Sequence, residues 1–198
     1  MKRTSLFSKG FLFAAVLTMS LGMTSCKDNK ETDPAEAAEE QNEEKFDDAN
    51  NNLEDDSDYL VTATEVNMKE IKLGKLAQER SANPQVKEYA QMLVEDHNKA
   101  SEQTKQLAQQ KNITLPMDET EDVKEAYEDL NDESAADFDK KYIDMMIDGH
   151  EKTIDKMEDA ADKAEDADIK AWAAGMLPTL REHLAKAKSI KESLDAAK

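Results

Sequence analysis

FDKKYIDMMIDGHEKTIDKMEDAA, residues 138 to 161, decides the fold class. Its apolar side chains return every three or four residues, at Phe138, Tyr142, Met146, Ile154, Met157 and Ala161, which is the spacing of one helix face. His150 occupies that same face, where a carbon side chain is expected. Nothing in the stretch alternates with the two-residue period of a strand.

Three further segments of the same kind lie around it. One carries Tyr59, Ala63, Val66, Glu70, Leu73 and Ala77 on a single stripe and ends near Ser81. Asn83 and Pro84 form a cap and first-turn pair for the next, whose stripe is Val86, Ala90, Leu93, His97, Ser101, Thr104 and Leu107. The quoted segment begins near Asp132, and the last starts at about Asp166 and presents Ala173, Met176, Leu180, His183, Ala187, Ile190 and Leu194. The expected fold is all-α, an antiparallel four-helix bundle over residues 59–198. The first two helices and the last two are joined by short turns and so form antiparallel hairpins. About twenty residues, Asn112 to Asn131, separate the pairs. They hold a short helix around Asp122 to Leu130 and are long enough for the lengthwise crossover of ferritin-like bundles, although an up-down-up-down order is also open.

The start of the chain reads differently. Lys2, Arg3 and Lys9 precede the apolar run FLFAAVLTMSLGM, which suits a signal peptide and is too short to span a bilayer. LGMTSC then ends in Cys26 and resembles the lipobox of bacterial lipoproteins, so residues 1–25 are expected to be removed and Cys26 to carry lipid. Cys26 is the chain's single cysteine, which leaves the folded part without a disulfide, a thiolate metal site or a cysteine nucleophile. Residues 26–58 are rich in Asp, Glu and Asn, with Phe46 and Leu53 as the only large apolar side chains after Cys26. Such a composition predicts a disordered acidic tether that contributes almost no apolar burial. Loss of residues 1–25, with three basic and no acidic side chains, takes the net charge from −19 to −22. Nucleic acid and anionic headgroups are then poor partners, and membrane attachment falls to the lipid on Cys26. The expected location is the cell envelope, on the periplasmic side or at the outer membrane and surface, with another envelope protein as a conceivable partner.

The chain has only three histidines, and His97, His150 and His183 fall on the inward stripes of three different helices. With roughly three positions in seven facing a bundle core, chance does this about one time in twelve. The remaining helix places Glu70 on its stripe. Counted from the turns, the four positions lie at heights matching within about 3 Å. A buried imidazole or carboxylate without a partner costs several kcal/mol, and either a shared metal or a metal-free polar layer would satisfy all four together. Asp96 points about 100° off the stripe, in reach of a neighbouring imidazole but not of the centre. Gly175 and Pro178 lie one turn ahead of His183, where proline removes a hydrogen bond to Ala174. Trp172 and Phe138 read as core anchors.

Taken in order, EIKLGKLAQERSANPQVKEYAQMLVEDH up to His97, FDKKYIDMMIDGH up to His150 and LPTLREHLAKA around His183 resemble the bacterial family known as domain of unknown function 4142, regarded as ferritin-like. The resemblance spans Ala63 to about Ile190 and implies an exported four-helix domain with no established reaction. Ferritin-like di-iron enzymes use Glu-x-x-His pairs. Here Val94, Ile147 and Leu180 stand three residues before the histidines, so those pairs are missing and di-iron oxidation loses its support. Glu70 with three histidines suits one zinc, copper or iron ion with an open position; Met145, Met146 and Met157 near His150 read first as core filling, and as soft donors they would tilt the site toward copper(I). Gly-rich phosphate loops, nucleophile elbows and basic aromatic surfaces are absent from the sequence, which makes an enzyme the weakest reading. A lipid-anchored metal-binding bundle for buffering, sensing or stress protection, and a metal-free structural or interaction module of the envelope, remain as the two alternatives.

Overall fold

The structure is a computed structural model that describes residues 32–47 and 53–196. Among the described residues six helices follow one another: α1 Pro34–Phe46, α2 Glu54–Arg80, α3 Pro84–Lys111, α4 Glu121–Asn131, α5 Phe138–Lys163 and α6 Ala167–Ala196. Among the described residues there is no strand, and no helix is long and apolar enough to cross a membrane.

The four long helices form the bundle, and the order around it is α2, α3, α6, α5. Every neighbouring pair runs antiparallel. Between α2 and α5 the pairs Tyr59 with Asp159 and Glu70 with His150 show the opposed directions. Between α3 and α6, Lys111 meets Asp166 while His183 meets Asp96. This neighbourhood requires α5 to start at the end of the bundle opposite to where α3 stops. Residues 112–137 therefore travel the bundle's length, the single long crossover of ferritin-like bundles, and the up-down-up-down order is excluded.

Local chemistry fixes both ends of that crossover. Asn112 closes α3 in the left-handed region at φ 58°, which asparagine tolerates better than most residues. At the far end Arg80 donates to the carbonyls of Leu130, Asn131 and Glu133, placing a cation on the C-terminal end of α4, and its guanidinium lies 4.7 Å from the Phe138 ring centre. The predicted cap of α3 is present: Asn83 accepts from the Gln85 N–H at 2.8 Å, with Pro84 in the first turn. Gly74 lets α2 lie close to α3, since a Cβ there would stand 2.7 Å from Val94 Cγ2.

The tether expectation is corrected for residues 34–46. They form α1, whose buried positions Ala38, Asn42 and Phe46 recur every four residues and face the domain. Phe46 packs with Leu60, Ala108, Ile113 and Ile169. Asn42 exchanges two hydrogen bonds with the backbone of Thr114, 2.7 and 2.9 Å long, and Asp33 accepts from the N–H of Ala35, capping the helix. Three well-placed side chains order a segment whose average composition is that of a disordered chain, because Ala and Glu already favour helix. The bundle's first helix also begins at Glu54 rather than Tyr59, so the folded part is longer than residues 59–198. The signal peptide, Cys26 and the rest of the tether lie outside the described residues.

Beyond the cluster around Phe46, the apolar core has two blocks. One holds Leu73, Tyr89, Leu93, Phe138, Tyr142 and Met146; the other holds Ala63, Ile154, Met157, Ala173 and Leu180. Asn67, Glu70, His97, His150 and His183, all at most 5% exposed, form the polar layer between them. Phe138 is the expected anchor, while Trp172 is only partly buried and sits at the rim of the second block.

Candidate metal centre

Each histidine of the layer is held from behind by an oxygen. On α3, His97 Nδ1 lies 2.8 Å from the side-chain oxygen of Asn67 on α2. The Nδ1 of His150, on α5, donates to the Met146 carbonyl one turn earlier, also at 2.8 Å. From α6, His183 Nε2 donates to the Asp96 carboxylate at 3.2 Å, and Tyr89 fixes the backbone beneath it by donating to the His183 carbonyl. An oxygen acceptor needs a proton on the nitrogen that faces it. In the neutral ring the other nitrogen then carries a lone pair.

The nitrogens left over are His97 Nε2, His150 Nε2 and His183 Nδ1. His150 Nε2 and His183 Nδ1 stand 3.3 Å apart, and His97 Nε2 is buried with no partner. The ring centres are 5.3 to 5.7 Å from one another. One nitrogen from each ring lies within 4.8 Å of those of the other two, the one cluster of potential metal ligands among the described residues. Two lone pairs facing each other at 3.3 Å repel unless a cation sits between them. On a tetrahedral ion with bonds of about 2.0–2.1 Å, two imidazole nitrogens are roughly 3.4 Å apart, so this pair is already spaced for one. The corner at His97 is wider.

Burial disfavours charge on His97 and His183. It holds His97 well below the usual histidine range, with His150 and His183 adding to the effect, and it lowers His183 as well, against the opposing bond from Asp96. A ring kept neutral is a ring ready to bind metal. Asp96 is itself held below the ordinary carboxylate range, chiefly by its bond from Lys99 and, against some burial, by that from His183. It therefore stays an anion behind the imidazole, the position expected for it from the sequence.

Glu70 is placed otherwise. Its Oε1 is 3.7 Å from His150 Nδ1, the nitrogen that faces away from the cluster, and its Oε2 has no hydrogen-bond partner. The expected four-ligand set becomes a triad with a carboxyl group behind one ring. Burial raises Glu70 above the ordinary carboxylate range, opposed by His150 and Lys69. Gly149 provides the room, since a Cβ there would stand 3.3 Å from Glu70 Oε1. Met145 and Met146 pack into the apolar core, and Met146 meets the His150 ring through its carbonyl, whereas Met157 lines a cavity together with His97 and His183. Asn67 was not among the expected site residues. Its signal is present in the sequence, three positions before Glu70 on the inward stripe, but an amide is a weak metal ligand and residue type alone does not mark it.

A family model described as domain of unknown function (DUF4142) matches residues 35–190. No curated protein and no solved structure matches the chain.

Proposed function

The chain belongs to the family of the domain of unknown function DUF4142, and from that premise we propose that it is an exported, lipid-anchored protein whose bundle holds one transition metal ion on His97, His150 and His183. The observation that carries this is the set of three inward nitrogens whose outward partners are each bound to an oxygen, the arrangement that orients histidines around a metal. Three imidazoles suit zinc, copper or iron, with a fourth position open to a small ligand. Glu-x-x-His pairs are missing, which favours metal buffering, sensing or stress protection in the envelope over oxidative catalysis. The signal-like start and the sequence ending at Cys26 support the export and lipid anchor.

Metal analysis of the mature domain, purified without a histidine tag, tests the proposal. Near one equivalent of a transition metal, lost on changing any of the three histidines to alanine, is the expected result. Absence of metal even after reconstitution favours the second reading, a metal-free module. That reading has its own observation: a proton on both nitrogens of His150 would turn the 3.3 Å contact into a hydrogen bond to His183, with Glu70 behind to balance the charge.

A further inference from the structure

The triad is not sealed on all sides. A cavity of about 40 Å³ is lined by His97 and His183 but not by His150, so it meets the triad on the side where those two rings lie. Much of its remaining wall is carbon and sulfur, from Val66, Ala100, Met157, Trp172 and Met176. Apart from His97 Nε2 and the Trp172 indole N–H, most polar groups nearby are already engaged: Asn67 with His97, Asp96 with His183 and Lys99, and the Thr104 and Thr153 hydroxyls with carbonyls of their own helices. A charged ligand would find little to replace its hydration there. The size is also selective, since one water needs roughly 10–15 Å³ by the same measure, which leaves room for a molecule of two or three atoms.

The cavity shares lining residues with a second space. A groove of about 460 Å³ between α3 and α6 shares Asp96, Ala100, Trp172, Met176 and Thr179 with it and adds Lys99 and Gly175 on the outside. A side chain at Gly175 would meet nothing within 4 Å, so this part of α6 faces open space. Pro178 lies inside the same helix and offers no N–H to Ala174, which loosens the wall where groove and cavity meet. Trp172 lines both spaces and its buried indole N–H has no partner.

We infer that this cavity seats a small uncharged molecule of the size of dioxygen, which enters through the α3–α6 groove and meets the bound metal at its open position. The inference rests on the metal-site reading, and its test has one arm that needs no metal. In metal-free protein carrying ¹³C-labelled methionine methyl groups, dissolved dioxygen, which is paramagnetic, should relax the Met157 methyl several-fold more than that of Met146, equally buried but outside the cavity. Ala100→Leu or, should that variant fold poorly, Thr179→Phe should bring Met157 down to the level of Met146. Equal relaxation of the Met157 and Met146 methyls in the unaltered protein overturns the inference whatever the metal does. In the second arm, iron(II)-loaded protein should form a one-to-one nitric oxide adduct by electron paramagnetic resonance, about tenfold more slowly in the filled variant at unchanged iron content. Iron without an adduct shows that the cavity does not serve the metal and overturns the inference. Failure to hold any metal defeats the function proposed above and removes the metal from this inference with it.

Discussion

In the proposed metal site, a proton on His97 or His183 would compete with the metal, and burial sets the sign of that competition. Burial holds His97 and His183 below the value near 6.5 that they have in the unfolded chain. Below that pH the unfolded state takes up protons that the folded state refuses, so stability is lost as pH falls, by up to about 1.4 kcal/mol per pH unit for each such ring. Glu70 acts in the opposite sense. Its raised folded value means that the folded state keeps a proton above pH 4.5 that the unfolded state has released, and stability is lost as pH rises through that window. In denaturant titrations of the metal-free domain at pH 7.5 and 5.5, the wild type should be weaker at 5.5. His97→Leu should flatten the difference, and Glu70→Gln should steepen it. Metal affinity separates the same residues. Alanine at His97, His150 or His183 should lower it by more than about a hundredfold, and Asn67→Ala or Asp96→Ala by about ten- to a hundredfold, whereas Glu70→Gln should leave most of it when measured against a competing chelator. The three histidines were legible in the sequence because helical periodicity fixes face and height. Periodicity does not say which edge of a ring a neighbour meets, and that is why Glu70, at the right height and on the right face, stands behind His150 instead of beside the triad.

At the scale of elements, α1 has the largest effect on expectation. Removing residues 30–56 would have been harmless to a bundle with a loose tether; it now strips Phe46 from Leu60 and Ile113, and Asp56 from the turn before α6, whose Glu165 and Asp166 N–H groups it accepts. The melting temperature of that deletion should drop by many degrees. Phe46→Ala alone should cost about 3 to 5 kcal/mol if its pocket cannot collapse. A calorimetric melt close to wild type would show that α1 contributes little. The signal for α1 lay in the letters Asp33-Pro34, the same cap and first-turn proline that marked α3 at Asn83-Pro84. An average over composition hid it, because ordering depends on where the few apolar side chains fall and not on how many there are. Gly74 gives a second element-level test. Gly74→Val should push α2 from α3 and destabilise by about 1 to 3 kcal/mol, with Gly175→Val, in open space, as the control.

For the whole molecule, four helices and their two hairpins followed from the sequence, but their order around the bundle did not. Both topologies satisfy the same stripes; what separates them is the end at which α5 begins, and Arg80 helps to pin that end by holding carbonyls at and just after the close of α4. Attachment of the whole to a membrane is testable apart from the fold: Cys26→Ser should shift the protein from the membrane to the soluble fraction or leave an uncleaved precursor, and the wild type should incorporate labelled fatty acid. Uptake of no label by the wild type would refute the lipid anchor. The ordering of α1 then changes the mechanics of such an anchor. A free chain from Cys26 to Tyr59 could stretch on the order of 110 Å, but with the helix starting just after Asp33 only seven links remain before the folded body, roughly 25 Å at full extension. A leash that short is less than the roughly 45 Å length of α6, so the bundle would ride close above its leaflet, sampling ligands and neighbours at the membrane surface and unable to reach across the space beyond.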